Sequence, residues 1–120
     1  MTRVVDGDTV HVQQARNLEK VRLCGIDTPE RGEYLSDEAT RFLASLVNGQ
    51  DVFLQPVTRD RYGRLVAEVF LAETEQSLEE ELLKAGLAKV FWRYVDDCPN
   101  AEPFKLAEEM AKEAKVGLWR

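Results

Sequence analysis

The stretch VVDGDTVHV, Val4 to Val12, has the β-branched, alternating character of a strand, yet Asp6, Gly7 and Asp8 break it in the middle. Aspartate and glycine are poor strand residues, so the two halves cannot form one uninterrupted ladder. Read alone, an Asp-Gly step in such a run is a turn or bulge. The segment predicts two short strands with a kink between them, and a second use for its carboxylates depends on what the fold brings beside them.

Three further segments read as strands. Lys20 to Ile26 (KVRLCGI) alternates, with QQARNLE as the polar turn before it, and Asp51 to Val57 (DVFLQPV) and Arg64 to Ala72 (RLVAEVFLA) form a second pair joined through TRDRYG. The count is five short antiparallel strands. Between and after them come three helices. Ser36 or Asp37 can cap the first, whose inward face is Ala39, Phe42, Leu43, Leu46 and Val47. Ser77 and Glu80 form a capping box before Leu78, Leu82 and Leu83, with Gly86 closing that helix. The third runs from about Pro103 to Gly117, with Leu106, Ala107, Met110, Ala111 and Ala114 inward. Strands followed by helices in 120 residues predict a single α+β domain over residues 1–120, a partly open five-stranded OB-fold barrel with three helices on one side and end.

Charge narrows the partners. The chain carries 16 Lys and Arg against 22 Asp and Glu, a net charge of -6, which at first sight opposes a polyanionic partner. The acids crowd Glu73 to Glu81 and Asp96 to Glu113, however, whereas Thr58 to Arg64 (TRDRYGR) holds three arginines to one aspartate. An acidic chain can own a basic site. The run ETEQSLEEE reads as a solvated helix face. Cys24 and Cys98 lie far apart with no His or Cys at metal-ligand spacing, which excludes a zinc site and leaves one disulfide or two buried thiols, the thiols preferred. No apolar run approaches the roughly 20 residues that cross a bilayer. The N-terminus lacks the apolar core of a secretory signal; a trimmed signal would place the protein outside the cell or in the periplasm, and otherwise it is expected in the cytoplasm.

Arg22 to Glu30 (RLCGIDTPE) displays Asp27 and Glu30 at a strand end, where Pro29 stops ladder pairing. If this strand pairs beside the first, Asp8 and Asp27 converge, and two carboxylates with a backbone carbonyl and waters suit a hard divalent cation. DRYGR delivers Arg64 beside Tyr62. Arginine is a fixed, bidentate phosphate binder, so Arg22 and Arg64 near one cation define a site for phosphoryl chemistry. LAKVFWRY adds Trp92 and Tyr94, placed on one face by alternation and able to stack on bases, or else to pack in the barrel wall.

VVDGDT, RLCGIDTPE, DRYGR, GLAKV and the terminal GLW, in this order over nearly the whole chain, resemble the staphylococcal nuclease (thermonuclease) family. The resemblance implies the same OB-fold barrel with three helices and calcium-dependent hydrolysis of DNA and RNA, preferentially single-stranded or unpaired, to 3′-phosphates by a monomer with no membrane partner. It implies Asp8, Asp27 and the Thr28 carbonyl as calcium ligands, Asp6 as a supporting carboxylate, and Glu30 as the residue that positions or deprotonates the attacking water. Arg22 and Arg64 would hold the scissile phosphate, Arg61 and Tyr62 a terminal phosphate, and Trp92 and Tyr94 the base.

The chain departs from the family's secreted member in a shorter loop between Glu30 and Ser36, in Trp92 for a tyrosine, in Arg61 for a lysine, and in its acidity. The competing expectation is a catalytically weak nucleic-acid or protein-binding module on the same fold. Such a module would lack some of Asp8, Arg22, Asp27, Glu30 and Arg64, and all of these are present.

Overall fold

In the computed structural model, which describes all 120 residues, the broken strand becomes β1 (Thr2–Asp6) and β2 (Thr9–Gln14). They pair antiparallel, with Thr2 opposite Val12 and Asp6 opposite Thr9. Gly7 and Asp8 make the turn, and the Asp6 carboxylate accepts the Asp8 N–H at 3.1 Å. The glycine is required by close approach: a Cβ at Gly7 would lie 2.7 Å from Thr28 Oγ1. The kink is thus what seats the β1–β2 turn against the segment that follows β3.

β2 pairs antiparallel with β3 (Asn17–Leu23) through a turn of only Ala15 and Arg16, so most of the polar QQARNLE stretch continues the ladder instead of leaving it. The chain then turns at Cys24 and Gly25 before β4 (Ile26–Asp27). Alternation in KVRLCGI would set Arg22, Cys24 and Ile26 on one strand face, and this turn takes them off it. After α1 (Ser36–Val47), β5 (Val52–Arg59) and β6 (Leu65–Leu71) form the second hairpin. The sheet order is β1-β2-β3-β6-β5, and β6 runs parallel to β3 over Val21 to Leu23. An all-antiparallel set fails at this pair because α1 and β5 intervene and return the chain beside β3 in the same direction.

The architecture is α+β, and the sheet is open, with β1 and β5 as its edges. The link between α1 and β5 covers the β1 edge: Asn48 Oδ1 accepts the Val4 N–H at 2.9 Å and the Gly49 N–H donates to Thr2 O at 2.8 Å. Such cover removes an unpaired strand edge from solvent.

α1 starts without a side-chain cap. Leu35, in the left-handed region at φ 68°, precedes it, and Ser36 is buried inside the first turn, so neither Ser36 nor Asp37 serves as the cap. Its inward residues are as expected, with Ala39, Leu43 and Val47 fully buried and Phe42 and Leu46 packed at the margin. α2 (Leu78–Lys84) has the predicted cap, Ser77 accepting the Glu80 N–H at 3.2 Å. β7 (Lys89–Val90) pairs with β4, and α3 (Ala101–Ala114) follows a short 3-10 turn at Val95–Asp97. Pro103 lies in the first turn of α3, where its missing N–H costs nothing, and not at the start. The buried face is consequently Ala101, Phe104, Ala107, Glu108 and Ala111, while Leu106, Met110 and Ala114 are exposed, contrary to the expected stripe.

Cys24 and Cys98 form a disulfide, correcting the preference for two thiols. Gly25, at φ +74°, lies directly against it, since a Cβ there would meet Cys98 Sγ at 2.7 Å. The bond ties the turn after β3 to the head of α3. Three buried glutamates reinforce the same junctions. Glu68 accepts from the Asn100 N–H at 2.7 Å, Glu79 from the N–H groups of Cys24 and Val69 at 3.2 and 3.1 Å, and Glu108 from Val90 at 2.6 Å. Glu79 belongs to the acidic run that reads as a solvated face; its side chain is fully buried among Leu78, Leu82 and Leu83 of the core.

Candidate active site

Three strand ends and one turn build the site. The β2–β3 ladder sets Thr9 opposite Arg22, and the parallel β3–β6 pairing sets Arg22 opposite Val66, two residues beyond Arg64. Asp8 is fixed by its own backbone, whose carbonyl accepts the Leu23 N–H at 2.9 Å. Arg22 Nη1 donates to Leu23 O at 2.8 Å, and its Nη2 lies 3.5 Å from Asp8 Oδ2 and 3.7 Å from Asp27 Oδ1. One guanidinium nitrogen thus stands between two carboxylates. Burial pushes the Asp27 carboxyl up from the ordinary value, the Arg22 guanidinium opposes this, and the carboxylates of Asp8, Glu30 and Glu33 add to it. Asp6 is raised likewise, first by burial and then by Asp8.

Glu30 is held by a short turn in which its N–H donates to Glu33 Oε1 at 2.6 Å and its carbonyl accepts the Glu33 N–H at 2.8 Å. This turn is the local consequence of the short RGEYL loop. The Glu30 carboxylate itself is left free. Arg64 enters from the DRYGR turn, where Asp60 Oδ1 accepts the N–H groups of Tyr62 and Arg64, each at 3.0 Å, and Asp60 Oδ2 accepts Arg64 Nε at 2.8 Å. Those donors hold the Asp60 carboxyl below the ordinary aspartate value despite its burial.

Asp6, Asp8, Arg22, Asp27, Thr28, Glu30 and Arg64 all line one cleft of about 510 Å³, together with Arg31 and, from the first turns of α1, Asp37 and Arg41. Val5 is its only hydrophobic lining residue. A second groove of about 600 Å³ shares Arg22 and Arg64 with the first and continues over Arg59, Arg61, Tyr62, Phe91, Arg93 and Tyr94. The two therefore meet at the pair of arginines. One arm is carboxylate-rich and the other is aromatic and cationic.

Trp92 stands apart from both. Residues Phe91 to Tyr94 turn instead of extending β7, so Trp92 and Tyr94 do not alternate on one face. The exposed Trp92 ring lies 5.2 Å from Lys105 Nζ of α3, whereas Phe91 packs edge-on against Tyr94 at 5.1 Å in the groove. Phe91 and Arg93 were missed in the sequence because a strand period was applied to a turn. Arg59, which lines the groove, is paired with Glu19 at 2.7 Å. Lys89 makes no carboxylate pair and sits 5.4 Å from the Trp119 ring.

The donors suit a hard cation. Asp8 and Asp27 offer oxygens either side of one point, Thr28 lines the same cleft with its N–H 3.5 Å from Asp8 Oδ2, and the set contains neither sulfur nor imidazole. No group of three or more His, Cys, Asp or Glu side chains is gathered closely enough to hold a metal ion, so the side chains offer no more than the Asp8 and Asp27 pair.

The sequence relationships agree with this geometry. The family model described as staphylococcal nuclease homologue matches residues 20–120. The chain belongs to the staphylococcal nuclease homologue family. An uncharacterized endonuclease of Escherichia coli O157:H7 is 33% identical over 120 residues, covering 99% of this chain and 74% of that protein. The SPbeta prophage-derived endonuclease YokF of Bacillus subtilis is 37% identical over 128 residues, and the probable endonuclease LCL3 of Kluyveromyces lactis 40% identical over 117 residues. These alignments take in 99% and 87% of this chain but only 43% of each of those two proteins, so less than half of either is represented here.

Proposed function

We propose that this protein is a metal-dependent nuclease that hydrolyses phosphodiester bonds of DNA and RNA with calcium, leaving 3′-phosphates. Family membership and the endonuclease names of its relatives support nuclease activity. The observation that carries the reading is the junction itself: Arg22 and Arg64 line both the carboxylate cleft and the aromatic groove, so a phosphate held between them has acids on one side and stacking surfaces on the other.

Asp8, Asp27 and the Thr28 carbonyl would hold the cation, which when bound supplies positive charge against the phosphate oxygens and a seat for water. The calcium choice follows from the open, partly hydrated site, since magnesium demands tighter octahedral geometry. The free Glu30 carboxylate orients the attacking water and takes its proton. Water oxygen bonds to phosphorus as the bond from phosphorus to the 5′-oxygen breaks, and that oxygen takes a proton from solvent water to leave as a hydroxyl. Arg22 and Arg64 neutralise the charge that builds on the phosphoryl oxygens. Arg61 and Tyr62 receive a neighbouring phosphate. Tyr94 and the Phe91 edge take an unpaired base, which favours single strands because a paired base has no free face to stack.

The test is digestion of single- and double-stranded DNA and of RNA, in calcium, in magnesium and in excess chelator, with end-labelling of the products. Calcium-supported cleavage to 3′-phosphate ends, fastest on single strands, is expected. Undiminished cleavage in chelator would overturn the metal assignment, and binding without cleavage would leave a nucleic-acid-binding module.

A further inference from the structure

Thr9 has no role in the chemistry above, yet its hydroxyl stands between two groups that do. The side chain is 6% exposed. Arg64 Nη1 donates to Thr9 Oγ1 at 3.3 Å, and Thr9 Oγ1 donates to Asp8 Oδ1 at 3.2 Å. The polarity is consistent, because a hydroxyl has one proton to give and lone pairs to receive another. It gives the proton to the carboxylate and accepts from the guanidinium.

Arg64 is consequently held along two edges of its plane. Asp60 takes Nε at 2.8 Å from the turn below, and Thr9 takes one Nη1 hydrogen from the sheet. The remaining Nη hydrogens are left for the cleft. Backbone register explains why position 9 does this. Thr9 faces Arg22 across the β2–β3 ladder and Asp6 across the β1–β2 ladder, so the one residue reports on the placement of Asp8, Arg22 and Arg64 together.

We propose that Thr9 is a positioning residue: its hydroxyl couples the carboxylate of Asp8 to the guanidinium of Arg64 and sets the distance between the cation seat and the arginine that meets the reacting phosphate. This rests on the reading of Asp8 and Arg64 given under the proposed function. Preorganised donors stabilise a transition state best when they need no reorientation as charge develops. A guanidinium free to turn about its last bonds loses that advantage while keeping its charge, so substrate binding is spared and the chemical step suffers.

The experiment compares the wild type with Thr9→Val, which keeps the shape and loses the hydroxyl, and Thr9→Ser, which keeps the hydroxyl. Nitrogen-resolved NMR of the Arg64 side chain reads the coupling without any turnover. Restricted rotation about the Arg64 Cζ–Nη1 bond is expected in the wild type and Thr9→Ser and averaged signals in Thr9→Val. With single-stranded DNA and calcium, kcat should fall on the order of tenfold in Thr9→Val, the worth of about one hydrogen bond, with KM little changed, and should recover in Thr9→Ser. Thermal unfolding of all three separates this from lost stability. Wild-type kcat and wild-type Arg64 signals in Thr9→Val would overturn the proposal. A wild type with restricted Arg64 signals that cleaves nothing would overturn the nuclease reading and leave the coupling in place.

Discussion

Glu68, Glu79 and Glu108 are buried and each holds at least one backbone N–H, whereas Asp27 and Glu30 face the cleft with no N–H donor on their carboxylates. Both sets are the same chemical group. The difference lies in what consumes the oxygens. The buried glutamates spend theirs on the N–H groups of Cys24, Val69, Val90 and Asn100, at Cys24 adding to a bond already made to Ala67 O. The cleft carboxylates of Asp27 and Glu30 accept no backbone N–H and stay open to the cleft. A carboxylate without a donor beside another carboxylate and an arginine is poorly placed for stability and well placed for a cation and a phosphate.

The strongest way to break this contrast is to neutralise the cleft set. Asp27→Asn and Glu30→Gln are expected to lower kcat on the order of 10²–10³, as loss of a preorganised charge does, while the unfolding midpoint stays level or rises. The stability half follows from Asp27, whose ionised form is disfavoured on balance, burial together with Asp8, Glu30 and Glu33 outweighing the attraction of Arg22, so a neutral amide relieves more repulsion than it loses attraction. Calcium binding followed by calorimetry should weaken in Asp27→Asn and survive in Glu30→Gln. A large loss of stability in either variant would mean that the cleft carboxylates are structural after all. Full activity in Glu30→Gln would remove it from the proposed role.

The buried set should behave in the opposite way. Glu108→Ala leaves the buried Val90 N–H without its 2.6 Å partner and the exposed Lys112 without its 3.4 Å carboxylate. An orphaned buried donor costs roughly 1–3 kcal/mol. Urea unfolding should show a lower midpoint with an unchanged slope, and the activity of the folded fraction should persist. If kcat fell as far as in Asp27→Asn, the separation between the two sets would be lost.

How far the sequence reveals this contrast depends on whether a local rule decides each residue. Alternation placed all five strands of the main sheet, and Ser77 capped α2 as its spacing demands, because both are set by neighbours within a few positions. The clustering of side chains followed once β2 and β3 paired, since Thr9 then stands opposite Arg22 and Asp8 lies 3.5 Å from its guanidinium. Other features needed contacts distant in sequence. The Cys24–Cys98 bond joins residues 74 apart, and nothing near either cysteine announces the other. Glu79 reads as one acid among many in ETEQSLEEE, and only the packing of α2 on β6 turns it inward. On α3 the proline misled: beginning the helix at Pro103 favours Leu106 and Met110, whereas the true start at Ala101 puts Phe104 in the core. At Trp92 a strand period does not hold, because Trp92 to Tyr94 turn.

The subtlest expected effect sharpens the comparison at Glu79. Burial raises its carboxyl from 4.5 to about 8 despite the N–H groups of Val69 and Cys24, and the nearby Glu68 carboxylate adds to the rise. Between those values the folded protein keeps the proton that the unfolded chain has released. The native state then binds more protons than the unfolded one, so stability decreases as pH rises through this window. The contribution is fully present below about 4.5, and it is lost as pH passes about 8. The unfolding midpoint of the wild type should therefore drop by several degrees between pH 5 and pH 8, on the scale of roughly 5 °C for each kcal/mol in a domain of this size. Glu79→Gln cannot ionise, so it should start lower at pH 5, its amide turning an NH2 toward one of the N–H groups of Val69 and Cys24, of which only Cys24 has a second acceptor in Ala67 O, and then decline less steeply. Subtracting the two profiles cancels the titrations they share. Parallel profiles would show that Glu79 does not change its charge in this window, and would place it with the carboxylates that are held ionised by their donors.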